Sequence, residues 1–441
     1  MRWNKLIDLT ETVEKLLEGS GGLCAASLVV DDVRRSERIE GAARRGAPRS
    51  CRPWWWCPGT PPTSWTRASR SCTARRHSSP RCGARKGKGW FRLYLNYTAL
   101  EDAADVRCFA EQMAAMYDAV SDDYRNGRGV ETRVPFFGSI RGFRYPDPDR
   151  RNFSYMDKFV SRLERLGYRD GETLFGAPYD FRYAVAPPGH SSRVGDAFFG
   201  RLKRLVERAS RVNGGRPVTI VAHSYGGTLA HQFLLRRPLP WRRRFVRRFV
   251  PVAAPWGGVV LGMLTLVAGN NLGLPFVDPL ALRGEYRSLQ SSLWPLPNTN
   301  AFGAGQPLVT TRSRTSTAHD VADFLGDIGM GAAIGPYQCR VLPLFRELPS
   351  PRVPVACVVG VGVDTPEMLA YPGDDFHVTP RMVMGDGDGL VNLASLIAVD
   401  PAWRRPAAYF RMLEVRNVSH TGLFVDDAAL AVIISAILHP N

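Results

Sequence analysis

Pro217-Val218-Thr219-Ile220-Val221-Ala222 is a short apolar run without alternation, the pattern of a strand covered on both faces. A helical pattern precedes it from Asp196 to Val212, with Phe199, Leu202, Leu205 and Val206 on one face. Another follows from Gly226 to Leu235 and is ended by Pro238. Two earlier stretches repeat apolar residues at helical spacing: Asp105 to Tyr117, through Val106, Phe109, Met113 and Met116, and Tyr155 to Leu166, through Phe159, Leu163 and Leu166. Phe249 to Ala253, Val353 to Val361 and Ala408 to Val415 read as further strands. A last helix, Ala428 to Leu438, has Asp426 or Asp427 as its cap. Strands alternating with helices predict an α/β protein, a mostly parallel sheet with helices on both faces. The longest apolar stretch, Val259 to Ala268, is too short to span a bilayer, and Asn270, Asn271 and Pro275 follow it.

This patterning is absent from residues 33–81, so the chain divides into an N-terminal segment (1–32), a basic irregular segment (33–81) and a large α/β domain (82–441). The irregular segment changes the meaning of the net charge of +17. Between Arg34 and Lys86 stand 14 Lys/Arg against Glu37 and Glu40, which is +12 of that total. The field is therefore local, and nucleic-acid binding by the domain is not expected. Trp54-Trp55-Trp56 sits here among Arg, Pro, Ser and Cys. Tryptophan has a single codon, TGG, and a run of it read from the last base of each codon gives GTG, valine. Carried from Trp54 to Arg76, that shift allows four valines, a Pro-Gly turn and an amphipathic segment. We read the stretch as coding sequence translated in the wrong frame, which sequencing the transcript tests. A second basic cluster, Arg236 to Arg248, includes Trp241 and Phe245; it reads as a solvated loop or as a contact for anionic lipid.

The eight cysteines, at 24, 51, 57, 72, 82, 108, 339 and 357, lack paired metal-ligand spacing. Met1 to Gly19 is charged and amphipathic and lacks the pattern of a signal peptide. Sequons at Asn96, Asn152 and Asn417 favour a lumenal or secreted setting only mildly.

The chemistry gathers at Ala222-His223-Ser224-Tyr225-Gly226-Gly227, between the apolar run and the helix after it. A strand–turn–helix passage of this kind is a nucleophile elbow, with Ser224 as nucleophile and small residues, Ala222 and Gly226, where backbones crowd. The helix N-terminus aims its dipole at a developing oxyanion, and the Tyr225 backbone N–H is a donor to it. A serine needs a base and the base an orienting carboxylate, here in the order Ser, Asp, His. Asp388 lies in Gly385-Asp386-Gly387-Asp388-Gly389, and His420 follows the last strand candidate. Asp386 is the rival acid. His231, His319, His377 and His439 are the rival bases, and His223 is expected to turn away from the nucleophile. No metal or cofactor is required by this chemistry.

Gly176-Ala177-Pro178-Tyr179-Asp180-Phe181-Arg182, Ala222 to Gly227, Ala254-Pro255-Trp256-Gly257-Gly258, the Asp388 turn and His420 follow one another over roughly residues 82–440. In this order they resemble the lecithin–cholesterol acyltransferase family, which includes lysosomal phospholipase A2 and plant acyltransferase-like phospholipases. The resemblance implies an α/β-hydrolase fold and the triad Ser224, Asp388, His420. It implies a glycerophospholipid donor and a sterol, another lipid alcohol or water as acyl acceptor. It also implies a lumenal or secreted location and work at a membrane or lipid-aggregate surface. Asp180 and Arg182 match a supporting acid–base pair, which reads equally as a buried structural ion pair. Cys82 and Cys108 match a disulfide around a lipid-binding subdomain (82–108), whose apolar surface would be Trp90, Phe91, Leu93, Tyr94 and Leu95. Gly269 to about Asn300 matches a mobile lid. Cys357 matches one half of a second disulfide whose partner position holds no cysteine, leaving it free or paired with Cys339. The strand and Pro-Gly loop that carry the second oxyanion donor are not recognisable as written, so a catalytically impaired lipid-binding homologue is the alternative expectation.

Overall fold

The computed structural model describes residues 25–30, 54–57, 64–68, 90–94, 100–145, 154–404 and 409–439. Its centre is a seven-stranded sheet. We number its strands β1 (Ala25–Val30), β2 (Trp54–Cys57), β3 (Leu174–Gly176), β4 (Val218–Ser224), β5 (Val246–Val252), β6 (Val355–Val361) and β7 (Phe410–Arg416). The order is β7-β6-β5-β4-β1-β3, with β2 also pairing β4. The pairs β2–β4, β4–β5, β5–β6 and β6–β7 are parallel; β1 runs antiparallel to β3 and β4. This is the expected α/β architecture, with β1 added in a direction the sequence does not signal.

Burial on both faces explains why the strands read as unbroken apolar runs. Val218, Ile220, Ala222, Phe249, Val355 and Cys357 join one core. Val221, Val250, Val252, Ala356 and Val358 join the other. The first core is covered by α3 (Arg193–Val212), through Phe199, Leu202, Leu205 and Val206, and by α4 (Tyr225–Leu235), through Leu229, Phe233 and Leu234. The second is covered by α2 (Asp157–Arg165), through Phe159, Val160 and Leu163, and by α7 (Asp427–Leu438). Asp426, rather than Asp427, caps α7, its carboxylate accepting from the Ala429 N–H at 2.8 Å.

Several expectations need correction. The helix predicted over Asp105 to Tyr117 is α1 (Ala103–Met113), which buries Val106, Phe109 and Met113. The chain then leaves the helix for a hairpin, Ala115–Asp118 against Asp123–Asn126, with Tyr117 and Tyr124 rings 5.2 Å apart. Met116 continues the apolar period but lies on that hairpin, 48% exposed. Leu166 follows α2 and is exposed, and Val160 takes its place in the core. Residues 33–81 are not wholly irregular: besides β2, Ser64–Ala68 pairs with Phe91–Tyr94 and Val130–Arg133.

The Arg236 to Arg248 cluster is neither a loop nor free for a lipid headgroup along its whole length. It forms a helix, Leu239–Phe245, leading directly into β5. Arg242 is buried and donates to the Pro351 carbonyl at 2.6 Å, and Arg248 donates to the Ala436 carbonyl at 2.5 Å. The Trp241 indole N–H donates to Glu207 at 2.8 Å. Arg248 thus satisfies a last-turn carbonyl of α7, and Arg242 a carbonyl in the loop before β6. Of the segment expected as an apolar lipid surface, Leu93 and Tyr94 are core residues, Trp90 and Phe91 are half-buried, and Leu95 lies outside the described residues. Cys108 is disulfide-bonded, whereas Cys82 lies outside the described residues. Cys357, buried, and Cys339, exposed, are both free, so the Cys339–Cys357 pairing is not formed.

The segment expected as a lid folds as α6 (Pro279–Ser288) and a short helix, Gln290–Leu293. Its Leu282, Tyr286, Leu289, Leu293 and Trp294 enter the first core, while Phe276 and Leu280 stay exposed. It packs on α1 and on α5 (Val260–Ala268). Among the described residues no helix is long and apolar enough to cross a membrane.

Candidate active site

β4 passes into α4 without a loop, and Ser224 is the joint. Its backbone has φ 53° and ψ −130°, a conformation an L-residue adopts only when surrounding structure over-determines it. The strained corner lifts the hydroxyl off the strand and places the Tyr225 amide in the first turn of α4, where it has no partner within the helix. Gly227, next to Gly226, is crowded in the same way. A Cβ on Gly227 would meet the Ala254 Cβ at 2.5 Å.

The other two residues lie beyond later strands. The Asp388 turn follows the strand Arg381–Gly385, and His420 lies beyond β7. The Asp388 Oδ2 and His420 Nδ1 are 2.7 Å apart, and the His420 Nε2 lies 2.9 Å from the Ser224 Oγ. All three side chains are buried: Ser224 1%, His420 1% and Asp388 0% exposed. The other oxygen of Asp388, Oδ1, accepts from the Leu390 and Val391 amides at 3.1 and 2.7 Å. With both oxygens engaged, the carboxylate cannot rotate away from the imidazole. The His420 amide also donates to the Asp388 carbonyl at 2.7 Å. Asp386 is excluded as the acid at this geometry. It is exposed, and its Oδ1 accepts from the Gly362 amide at 2.6 Å.

The rival histidines lie in other surroundings. His231 sits within α4 against Trp256 and Trp403, with its Nε2 2.8 Å from the Pro349 carbonyl. Burial lowers its pKa to about 4. His319, His377 and His439 are exposed. Among the described residues no group of three or more His, Cys, Asp or Glu side chains is placed to hold a metal ion.

A strained serine at a strand–helix joint, hydrogen-bonded to a histidine that is itself hydrogen-bonded to a buried aspartate, is the arrangement for generating an oxygen nucleophile. Residues 90–327 match lecithin:cholesterol acyltransferase. The chain belongs to the lecithin:cholesterol acyltransferase family. It is 46% identical over 366 residues to lecithin-cholesterol acyltransferase-like 1 of Oryza sativa subsp. japonica, covering 83% of this chain and 82% of the relative. The protein of that name in Arabidopsis thaliana is 44% identical, with 80% and 81% covered. Lysosomal phospholipase A and acyltransferase of Mus musculus is 31% identical, with 81% and 84% covered. The chain is thus an enzyme of the acyltransferase and phospholipase type.

Within this family member, Asp180 and Arg182 form a buried ion pair at 2.7 Å. Arg182 also donates to the Met113 carbonyl at 3.2 Å, to Asn126 at 2.8 Å and to Thr132 at 2.6 Å. The pair therefore ties α1, the hairpin after it and the following strand to the loop beyond β3. Among the described residues, none of its polar contacts reaches Ser224, Asp388 or His420. The Ala254–Gly258 motif has a similar use. Trp256 is buried beside His231 and Trp403, and a Cβ on Gly257 would meet Ala301 at 2.0 Å.

Sequence reasoning missed two residues here, Tyr155 and Glu285, and the surroundings of a third. His223, expected to turn from the serine, is packed against His420, ring centroids 4.7 Å apart. Tyr155 hydrogen-bonds to the His223 Nδ1 across the second core. Glu285, on α6, is fully buried near Arg182, and burial pushes its carboxyl pKa up to about 8. The elbow itself was the available signal for His223. Tyr155 and Glu285 meet their partners only through tertiary packing.

Proposed function

We propose that Ser224, His420 and Asp388 are a catalytic triad that transfers a fatty-acyl group from a glycerophospholipid. The observation that carries this reading is the hydrogen-bonded chain from the Asp388 carboxylate through His420 to the Ser224 hydroxyl. In the first half-reaction the Ser224 Oγ attacks the ester carbonyl and its proton passes to the His420 Nε2. Asp388 holds the imidazole so that Nδ1 carries the other proton, and it stabilises the imidazolium that forms. The carbonyl oxygen becomes an oxyanion facing the Tyr225 amide. Collapse expels the lysolipid alkoxide, which takes the proton from His420 and leaves an acyl-Ser224 ester. In the second half-reaction His420 removes a proton from an acceptor hydroxyl, which attacks that ester and regenerates Ser224.

A water acceptor makes the enzyme a phospholipase A, and a sterol or other lipid alcohol makes it an O-acyltransferase. The names of the plant and mouse relatives support both outcomes. Phe276 and Leu280, exposed on the segment that covers the first core, support work at a lipid-aggregate surface. No metal or cofactor has a step in this scheme.

The test compares the protein with Ser224→Ala on phosphatidylcholine vesicles containing a sterol, measuring free fatty acid and steryl ester together. The expected loss is on the order of 10³-fold or more in both products. Equal, low turnover in the two proteins would overturn the triad and favour the impaired lipid-binding homologue.

A further inference from the structure

We propose that His223 and Tyr155 are positioning residues that hold the catalytic base His420 from behind, a role that rests on the triad reading above. His223 immediately precedes the nucleophile, and its ring packs against the His420 ring, centroids 4.7 Å apart. It is 0% exposed, and Tyr155 is 7% exposed. Both nitrogens of the His223 ring have partners. Nε2 lies 3.3 Å from the His420 carbonyl oxygen, and Nδ1 is hydrogen-bonded to the Tyr155 hydroxyl.

The chemistry of the partners settles which nitrogen carries the proton. A carbonyl oxygen only accepts, so Nε2 must be the N–H. In a neutral imidazole Nδ1 is then the acceptor, and the Tyr155 hydroxyl donates to it. Burial and the neighbouring His420 both hold the His223 pKa well below its ordinary value, so the ring stays neutral. A relay of fixed polarity results: Tyr155 O–H to Nδ1, then Nε2–H to the His420 carbonyl. Phe424 closes the ring from the side, 4.9 Å from the His223 centroid and 73° to it.

What this fixes is the main chain of His420. Its side chain is aligned by Asp388 and its amide by the Asp388 carbonyl. Its own carbonyl is the remaining main-chain handle, and His223 supplies the donor. Because His223 and Ser224 are adjacent in one strand end, the same rigid element carries the nucleophile and the clamp on its base. The Nε2–Oγ separation is thereby referred to β4 alone.

The test measures covalent labelling of Ser224 by a long-chain fluorophosphonate, resolved into the inhibitor's binding constant and its maximal inactivation rate. His223→Leu is expected to lower the inactivation rate by about ten- to a hundredfold, the usual cost of a small misplacement of a reacting group, and to leave binding unchanged. His223→Gln places an amide N–H where Nε2 stood and is expected to recover most of the rate. Tyr155→Phe is expected to give a smaller loss, and to add nothing in the His223→Leu background. Wild-type rates in His223→Leu, or a Gln variant as slow as the Leu variant, overturn the proposal. If His223→Leu does not fold, the Gln and Tyr155→Phe variants decide it, since a normal rate in both means no relay. Labelling that persists in Ser224→Ala is a different failure, of the nucleophile assignment itself.

Discussion

Glu285 offers a measurable consequence of burying an acid that the fold does not pair. Its side chain is 4% exposed, and its Oε2 has no hydrogen-bond partner among the described residues. The nearby cation, Arg182, is already committed to Asp180, Asn126, Thr132 and the Met113 carbonyl. Desolvation therefore dominates and raises the carboxyl pKa from 4.5 to about 8. The native state then holds a proton that the unfolded chain releases between these values. Stability falls wherever the native state binds more protons, so it falls as pH rises from the unfolded value towards about 8 and levels off above it. With 1.36 kcal/mol per unit, the penalty is about 1 kcal/mol at pH 5 and on the order of 5 kcal/mol at pH 9. Glu285→Gln keeps the shape of the neutral acid and cannot ionise. Urea unfolding at pH 5, 7 and 9 should show the wild type losing on the order of 4 kcal/mol more than the variant across this range. Parallel pH profiles for the two proteins would refute the reasoning, because they would mean that Glu285 is ionised and paired in the fold.

Two further tests separate neighbours that look alike in sequence. Asp388→Asn should lower turnover by about 10³- to 10⁴-fold, through loss of the imidazole's orientation and of charge stabilisation. Asp386→Asn keeps its acceptor for the Gly362 amide and should stay near the wild-type rate; steady-state phospholipid hydrolysis checks both. Gly258 has φ +90°, and a Cβ there would meet the Leu296 carbonyl oxygen at 2.3 Å. Gly258→Ala should therefore cost about 3 kcal/mol or more in urea unfolding. Gly284, within α6 and with nothing within 4 Å of its virtual Cβ, should gain about 0.5–1 kcal/mol on substitution by alanine.

The fold was legible where burial on two faces left a continuous signal. Val218 to Ala222 and Val355 to Val361 read as strands because every side chain along them is buried. The helices α2 and α3 read correctly because one face of each enters a core, and α4, buried nearly throughout, because the elbow and Pro238 bound it. The failures share a cause. Met116 carries the right spacing for one more helical turn, but hairpin pairing with Asn126 and its neighbours claims that stretch. The arginines from 236 to 248 look like a solvated charge run until their carbonyl partners on Pro351 and Ala436 are known, and those lie more than a hundred residues away. The same limit applies at the site. Order along the chain and local turn chemistry pointed to Ser224, Asp388 and His420. Setting the rival Asp386 apart needed its exposure, and recognising Tyr155 and Glu285 needed the packed interior.

The double attachment of His420 to Asp388, side chain to side chain and amide to carbonyl, has a kinetic meaning. Two bonds between two residues remove their freedom to swing independently, so thermal motion carries acid and base together. Ser224 belongs to a different body, the β4–α4 corner, which meets this pair through the His420 Nε2–Ser224 Oγ bond and, on the proposal above, through the His223 donor to the His420 carbonyl. The imidazole–hydroxyl gap then holds for as long as that clamp holds, and loosening the clamp alone would let the strand end and the loop pair drift apart.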